Sequence, residues 1–590
     1  MAMHVDRQRT ERLALWLIVA VGAALRVAEL WMPLTHDELS AILRLRFDSL
    51  AELIRSGVMP DGHPAGMQVL LWLWSHVVGT SALLLRLPFL LMGVGCIPLM
   101  YSVARRWYGV HAALWAAALV AFSQYTVYYA MPVRPYGTGL FFMLLLLHCW
   151  TRLFVERRWR WTAVAGFAVC AAACAYMHYF CALAAVLLAV AGLFFVGRKE
   201  LWRYLAACAA AVLLFVPHIG VTYHQLFDLK GVGGWLGAPE MSFFGRYVRY
   251  LTHHSWVVLL LVTAVWILTF DYRVWRERRR LMVAALALFV VPLLAGYAYS
   301  RLVSPVLQYS VLIFSYPFLL LALVGMVGER RPWRTDALVA LCAAVLLLTL
   351  FTVRRHYDVV KREYVPASVE MAATAQQRFG KENVALLLDI HPSMLAYYDS
   401  AVAERVCGVE EVDSLDVDYV VASRLSDAEM LSVRRRWPYL LDCRLCTGTK
   451  VCLLSRRPEG ALPWCERVVK EGKVATDSEY TVLLDTAAEA LGGSRHVLVN
   501  SVVHDVDSNV TLVMETWVGG RKVDWHGVDA TDSVCLPLSL NLFVKSRWAF
   551  RHASVKVYLW RRAGRPDGAA SYSIIAADGN PYIYSLLEEI

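Results

Sequence analysis

Up to residue 354 this chain is a series of long apolar runs separated by short arginine-rich junctions, a pattern that a soluble core cannot absorb. A helix needs about 20 apolar residues to cross a bilayer. Eleven segments qualify, near 13–32, 87–104, 111–130, 135–154, 161–177, 179–197, 204–221, 255–271, 281–299, 305–327 and 335–353. Beyond 354 the texture turns to mixed sequence. Across all 590 residues the chain is 58% hydrophobic and only 18% charged, too apolar for a soluble protein of this length. The expected fold class is therefore a polytopic α-helical membrane protein over 1–354, followed by a small α/β unit over 355–460 and a β-sandwich of jelly-roll type over 461–590.

The formal net charge of +10 reflects membrane orientation rather than a nucleic-acid partner, because the arginines cluster at every second junction. Arg7, Arg9 and Arg12 precede the first span. Arg105 and Arg106, Arg157 to Arg160, Arg198 to Arg203, Arg276 to Arg280 and Arg330 to Arg334 mark later ones. The positive-inside rule then puts the N-terminus in the cytoplasm and the C-terminal parts outside. The alternation holds only if GMQVLLWLWSHVV, residues 66–78, lies in the outer interface, which makes 33–86 one long outer loop. The first span is long and no small-residue cleavage site follows it, so it is expected to remain attached.

On this topology the outer loops hold Asp37, Glu38, Asp61, His63 and Arg86 in the first; Tyr128, Tyr129, Arg134 and Tyr136 in the second; His178 in the third; and Arg301, Gln308 and Tyr309 in the fifth. Acids come from one loop, while cations and tyrosines come from the others. Such a surface can grip an anionic headgroup through arginine forks while a carboxylate takes a proton nearby. Plainer roles stand beside these. Arg86 and Arg301 can snorkel to the interface, the tyrosines can form an aromatic belt, Asp37 can cap the helix it opens, and Arg26 can pair with Glu29.

Taken in order, the span, the DE pair at 37–38, an amphipathic helix, GHPxG, LRLPFLL, ARRWYG and YYAMPVRPYG resemble the GT-C glycosyltransferases, and more closely the family 39 group of protein O-mannosyltransferases and aminoarabinose transferases. The resemblance covers roughly 10–330. It implies an inverting enzyme that moves a sugar from a polyprenyl-phosphate donor to a protein, lipid or envelope-glycan acceptor at the outer face of a bacterial inner membrane, with the C-terminal parts periplasmic. Asp37 would be the general base, with Glu38 beside it. Arg134, Arg301, Arg86 and His178 would hold the donor phosphate, and Asp61, His63, Tyr136 and Tyr309 would line the substrate site. No cofactor is implied, and a divalent metal on the acids stays open. The chain departs from the family where HPP is common (here His63-Pro64-Ala65) and where an RY pair opens the tenth span (here Gln308-Tyr309), which shifts the phosphate assignment towards Arg301.

The alternative is a transporter or lipid flippase, which would show inverted repeats and ionisable residues near mid-membrane; here they gather at the outer ends. Beyond residue 354, six cysteines, Cys407, Cys443, Cys446, Cys452, Cys465 and Cys535, are compatible with disulfides in an oxidising compartment. Cys443-x-x-Cys446 also has the spacing of a metal or redox pair. Trp517, Trp525 and Trp560 are candidates for stacking on sugar rings or for ordinary packing.

Overall fold

The computed structural model describes residues 2–229, 236–327, 332–464, 466–476, 478–491, 496–504, 510–529, 535–541, 551–561 and 569–577. The chain forms two compact units, one over Met1–Lys361 and one over Arg362–Glu588.

The first unit is helical. Among the described residues five helices are long and apolar enough to cross a membrane: Ala82–Tyr108, Pro135–Phe154, Leu201–Asp228, Tyr272–Leu302 and Thr335–Val360. Ser242–Leu251 and Trp256–Thr269 make a sixth if the pair, bent by 81°, is one span. The first expected span is the continuous 26-residue helix Ala2–Val27, which is not among these five, and the remaining expected spans are shorter or broken. Trp161–Met177 and Tyr179–Leu193 have 17 and 15 residues. The run 305–327 splits into Tyr309–Leu312 and Tyr316–Val324, and 111–130 splits at Ser123 into Val110–Phe122 and Gln124–Tyr128. Gly66–Val78 is a separate 13-residue helix.

The break at Ser123 shows how an interrupted helix is tolerated among apolar residues. Its freed carbonyls need donors, because lipid offers none. Arg26 supplies them: its guanidinium, fully buried, donates to the carbonyls of Val120 at 2.9 Å, Ala121 at 3.0 Å and Thr126 at 3.3 Å. The Gln124 amide donates to His253 Nε2 at 2.8 Å. Arg26 is thereby occupied, and the expected Arg26–Glu29 pair is replaced by Glu29 Oε1 against His356 Nε2 at 2.6 Å.

The second unit holds two layers of architecture. Strands β1 (Val384–Leu388), β2 (Val406–Cys407), β3 (Tyr419–Ser423), β4 (Tyr439–Cys446) and β5 (Thr449–Ser455) form one mixed sheet in the order β2-β1-β3-β5-β4. Then come β6 (Glu466–Ala475), β7 (Tyr480–Ala487), β8 (His496–His504), β9 (Val510–Val518), β10 (Arg521–Asp529), β11 (Cys535–Asn541), β12 (Ala553–Arg561) and β13 (Ala569–Ala577). They lie in two antiparallel sheets, β10-β9-β12-β7 and β11-β8-β13-β6. The pairs are nested (β6 with β13, β7 with β12, β8 with β11, β9 with β10), which is the wrapping of a jelly roll. Alternate residues of both sheets, among them Val497, Val499, Leu512, Met514, Val555, Val557 and Ile574, bury one core. Trp525 is 43% exposed, whereas Trp560 stacks on Tyr480 and Trp517 donates to Glu515 at 3.0 Å.

Candidate active site

The helix His36–Leu43 starts at Thr35, not at Asp37. Thr35 Oγ1 accepts from the Glu38 amide at 3.2 Å, and Glu38 Oε2 accepts from the Thr35 amide at 3.0 Å. This reciprocal capping box takes over the role expected of Asp37 and leaves the Asp37 carboxylate without a backbone partner to serve. Asp37 sits in the first turn, where the helix dipole favours a negative charge. Its side chain is 62% accessible, so an incoming hydroxyl can reach it.

Glu38 is the opposite. It is fully buried and accepts from Arg86 Nε at 2.8 Å and Nη2 at 2.7 Å. Arg86 also donates to the carbonyls of Met32 at 2.7 Å, Pro33 at 3.0 Å and Leu30 at 3.3 Å. Glu38 Oε1 further accepts from the Val133 amide at 3.2 Å. Two expectations are corrected by this saturation. Glu38 has no lone pair facing substrate, and Arg86 has no donor left for a phosphate. Together they fasten the chain leaving the first helix to the loop that carries Arg134, and they remove Glu38 from any ligand set with Asp37 and Asp61.

Arg134 follows directly from that fastening. As the residue before Pro135 it is pushed into extended conformation, with φ −140° and ψ 160°, and it caps the helix Pro135–Phe154. Its Nε lies 3.8 Å from Asp37 Oδ2, and this buried nitrogen has no hydrogen-bond acceptor among the described residues. The enclosing protein alone would raise the Asp37 pKa, but Arg134, His36 and His63 outweigh it and hold the carboxyl well below the usual range.

A second carboxylate stands beside this pair. Asp61 forms an ion pair with Arg44, accepts from the Gly62 amide at 2.8 Å and lies 3.3 Å from His63 Nδ1. Burial opposes its charge, yet His63 and Arg44 keep its pKa far below normal. The His63 ring meets His178 at 5.3 Å and Tyr136 at 6.4 Å between centroids. His178 Nδ1 accepts from the Phe180 amide at 3.0 Å, which places its proton on Nε2. Burial, with His63 and Arg134 nearby, pushes its pKa well below the usual histidine value. It therefore offers a neutral N–H donor rather than a cation. Gln225 fixes the His63 turn by donating to the carbonyls of His63 at 3.0 Å and Val58 at 2.7 Å.

Asp37, Arg134, Asp61, His63, Tyr136 and His178 thus form one cluster. Arg301 lies exposed at the C-terminal end of Tyr272–Leu302, with no ion pair to the cluster among the described residues. Tyr309 is buried, its ring against Tyr250 at 4.7 Å and Tyr247 at 5.3 Å, in aromatic packing rather than on an open surface. Arg44 and Gln225 escaped the sequence reading. The clue to Arg44 was Asp61 itself, an acid in a folded loop that needs a cation. Among the described residues no group of three or more His, Cys, Asp or Glu is disposed to hold a metal ion.

Residues 62–221, which include His63, Arg86, Arg134, Tyr136 and His178, match the family model described as dolichyl-phosphate-mannose-protein mannosyltransferase. This bears out the glycosyltransferase resemblance read from the motifs. No curated protein sequence matches the chain. Among solved structures it is similar to ArnT from Cupriavidus metallidurans in the apo state (14% identity, 76% of this chain and 98% of that one, TM-score 0.48). It is also similar to the Archaeoglobus fulgidus oligosaccharyltransferase in complex with Zn and sulfate (11% identity, 96% and 97%, TM-score 0.42). A third is the arabinofuranosyltransferase AftD from Mycobacteria (12% identity, 95% and 58%, TM-score 0.44).

Proposed function

We propose, from the mannosyltransferase-family match over 62–221 and the cluster it overlaps, that this chain is a membrane glycosyltransferase using a polyprenyl-phosphate-linked sugar. The observation that carries the reading is the Asp37–Arg134 arrangement: an accessible, ionised carboxylate 3.8 Å from a buried guanidinium nitrogen that lacks an acceptor among the described residues. Asp37 accepts the proton of the acceptor hydroxyl as that oxygen attacks the anomeric carbon. The lipid phosphate departs from the opposite face of the sugar, which inverts the configuration. Arg134 and the Nε2–H of His178 stabilise the charge growing on the phosphate oxygens.

A carboxyl held so acidic is a weak base on its own. Engagement of Arg134 by the phosphate draws part of that cation's field away from Asp37 and raises its basicity when donor is bound. His63 and Tyr136 shape the sugar site, with Asp61 and Arg44 orienting His63. The reaction is assigned to the extracytoplasmic face of a bacterial inner membrane, supported by the arginine-rich junctions on the other side. The acceptor is a hydroxyl on a protein or on an envelope lipid or glycan.

The test is transfer from radiolabelled polyprenyl-phosphate sugars to envelope fractions, comparing purified wild type with Asp37→Asn. Equal transfer by both removes Asp37 from the mechanism; no transfer by wild type with any donor removes the reading.

A further inference from the structure

The mixed sheet of the second unit ends in the hairpin β4–β5, and three cysteines lie on it. Cys443 and Cys446 are three apart on one strand, so they face opposite sides of the sheet and cannot close on one metal or on each other. The register instead sets Cys443 directly across from Cys452, and Cys446 across from Thr449. The Sγ atoms of Cys443 and Cys452 are 3.7 Å apart. Directly opposed residues of an antiparallel pair have Cα separations of about 4.5–5.5 Å, inside the range that a disulfide spans.

We propose that Cys443 and Cys452 form a cross-strand disulfide that locks the edge strand β4 onto β5, an inference that rests on the second unit facing an oxidising compartment. The two thiols differ in a way that orders the chemistry. Cys443 is exposed and Cys452 buried. Contact with the Cys452 thiol, aided by Lys450 against the opposing Asp442, brings the Cys443 pKa down to about 7, where attack on a disulfide is fastest. The Cys443 thiolate attacks the disulfide of a thiol oxidoreductase or of oxidised glutathione and expels one donor thiolate. Cys452 then loses its proton and attacks Cys443 Sγ, expelling the second donor thiolate. Two protein thiols are oxidised and one donor disulfide is reduced to two thiols.

Trypsin separates the three cysteines cleanly, into Trp437–Arg444, Leu445–Lys450 and Val451–Arg456. Full-length protein is alkylated in intact membranes, purified without reductant, digested and analysed by mass spectrometry. The expected product is Trp437–Arg444 linked to Val451–Arg456, with Leu445–Lys450 outside that pair. In a second arm, reduced protein is exposed to oxidised glutathione: wild type forms the same link, and Cys452→Ser traps glutathione on Cys443. Failure of the link in both arms, or a link through Cys446 instead, overturns the pair. A link formed by glutathione but absent from membranes upholds the pair and overturns the compartment assigned to this unit.

Discussion

Glu38 and Arg86 are joined through both carboxylate oxygens, at 2.8 and 2.7 Å, and both are buried. The pair sits one residue from Asp37 and, through the Val133 amide, one residue from Arg134. Removing either partner leaves an uncompensated charge inside protein, which costs about 3–5 kcal/mol. Glu38→Gln and Arg86→Met are each expected to lower the midpoint of thermal unfolding in detergent and to cut transfer. The double variant, with neither charge left buried, is expected to recover part of the stability but not the activity. Equal stability of single variants and wild type would refute the clamp.

Asp37→Asn acts differently. It removes a proton acceptor while keeping the shape, so kcat is expected to fall about 100- to 10,000-fold with the unfolding midpoint and donor affinity almost unchanged. Steady-state kinetics with a labelled donor, beside a thermal shift assay, separates this from a folding defect.

Arg134→Lys keeps the charge but replaces the planar fork that suits phosphate oxygens. Loss of one such donor costs about 100- to 1,000-fold in kcat. The same substitution weakens the hold on Asp37, so the acid limb of the pH–rate profile should move to higher pH. An unmoved limb would show that Arg134 does not govern the Asp37 charge.

Stability should carry the matching signature. Both Asp37 and Asp61 have folded pKa values below normal, so each adds stability above its unfolded value of about 4 and loses it as pH falls through the folded value. Thermal midpoints from these two groups should be flat from neutral pH down to about 5 and fall below about 4. Asp61→Asn should flatten part of that acid loss.

Arg301→Ala provides the negative control. Arg301 is exposed and makes no ion pair to the cluster among the described residues, so transfer and the pH profile should match wild type. A large loss of donor affinity would return it to the phosphate site.

Periodicity and charge made the class of the chain legible: apolar runs, arginine junctions and alternating strands report local geometry directly. The DE pair and the VRPY turn pointed to the candidate cluster for the same reason, since a capped helix start and a pre-proline residue have few conformations. What the sequence concealed were choices between equivalent partners. Nothing in the letters says that Glu38, not Asp37, meets Arg86, or that Thr35 caps the helix. Both follow from which groups tertiary packing excludes from water. The span count suffered likewise, because an apolar run reads as continuous until a distant Arg26 makes its interruption tolerable.

That last contact makes the N-terminal helix more than an address label. Exchange it for a generic membrane anchor and the carbonyls of Ala121 and Thr126 lose the guanidinium donor, while Val120 keeps only the Thr126 hydroxyl, in a setting that has no water to replace it. The tyrosine-rich turn bearing Arg134 begins just downstream. Its shape is thus conditional on a helix synthesised about a hundred residues earlier, and assembly of the candidate site should wait on that helix being seated.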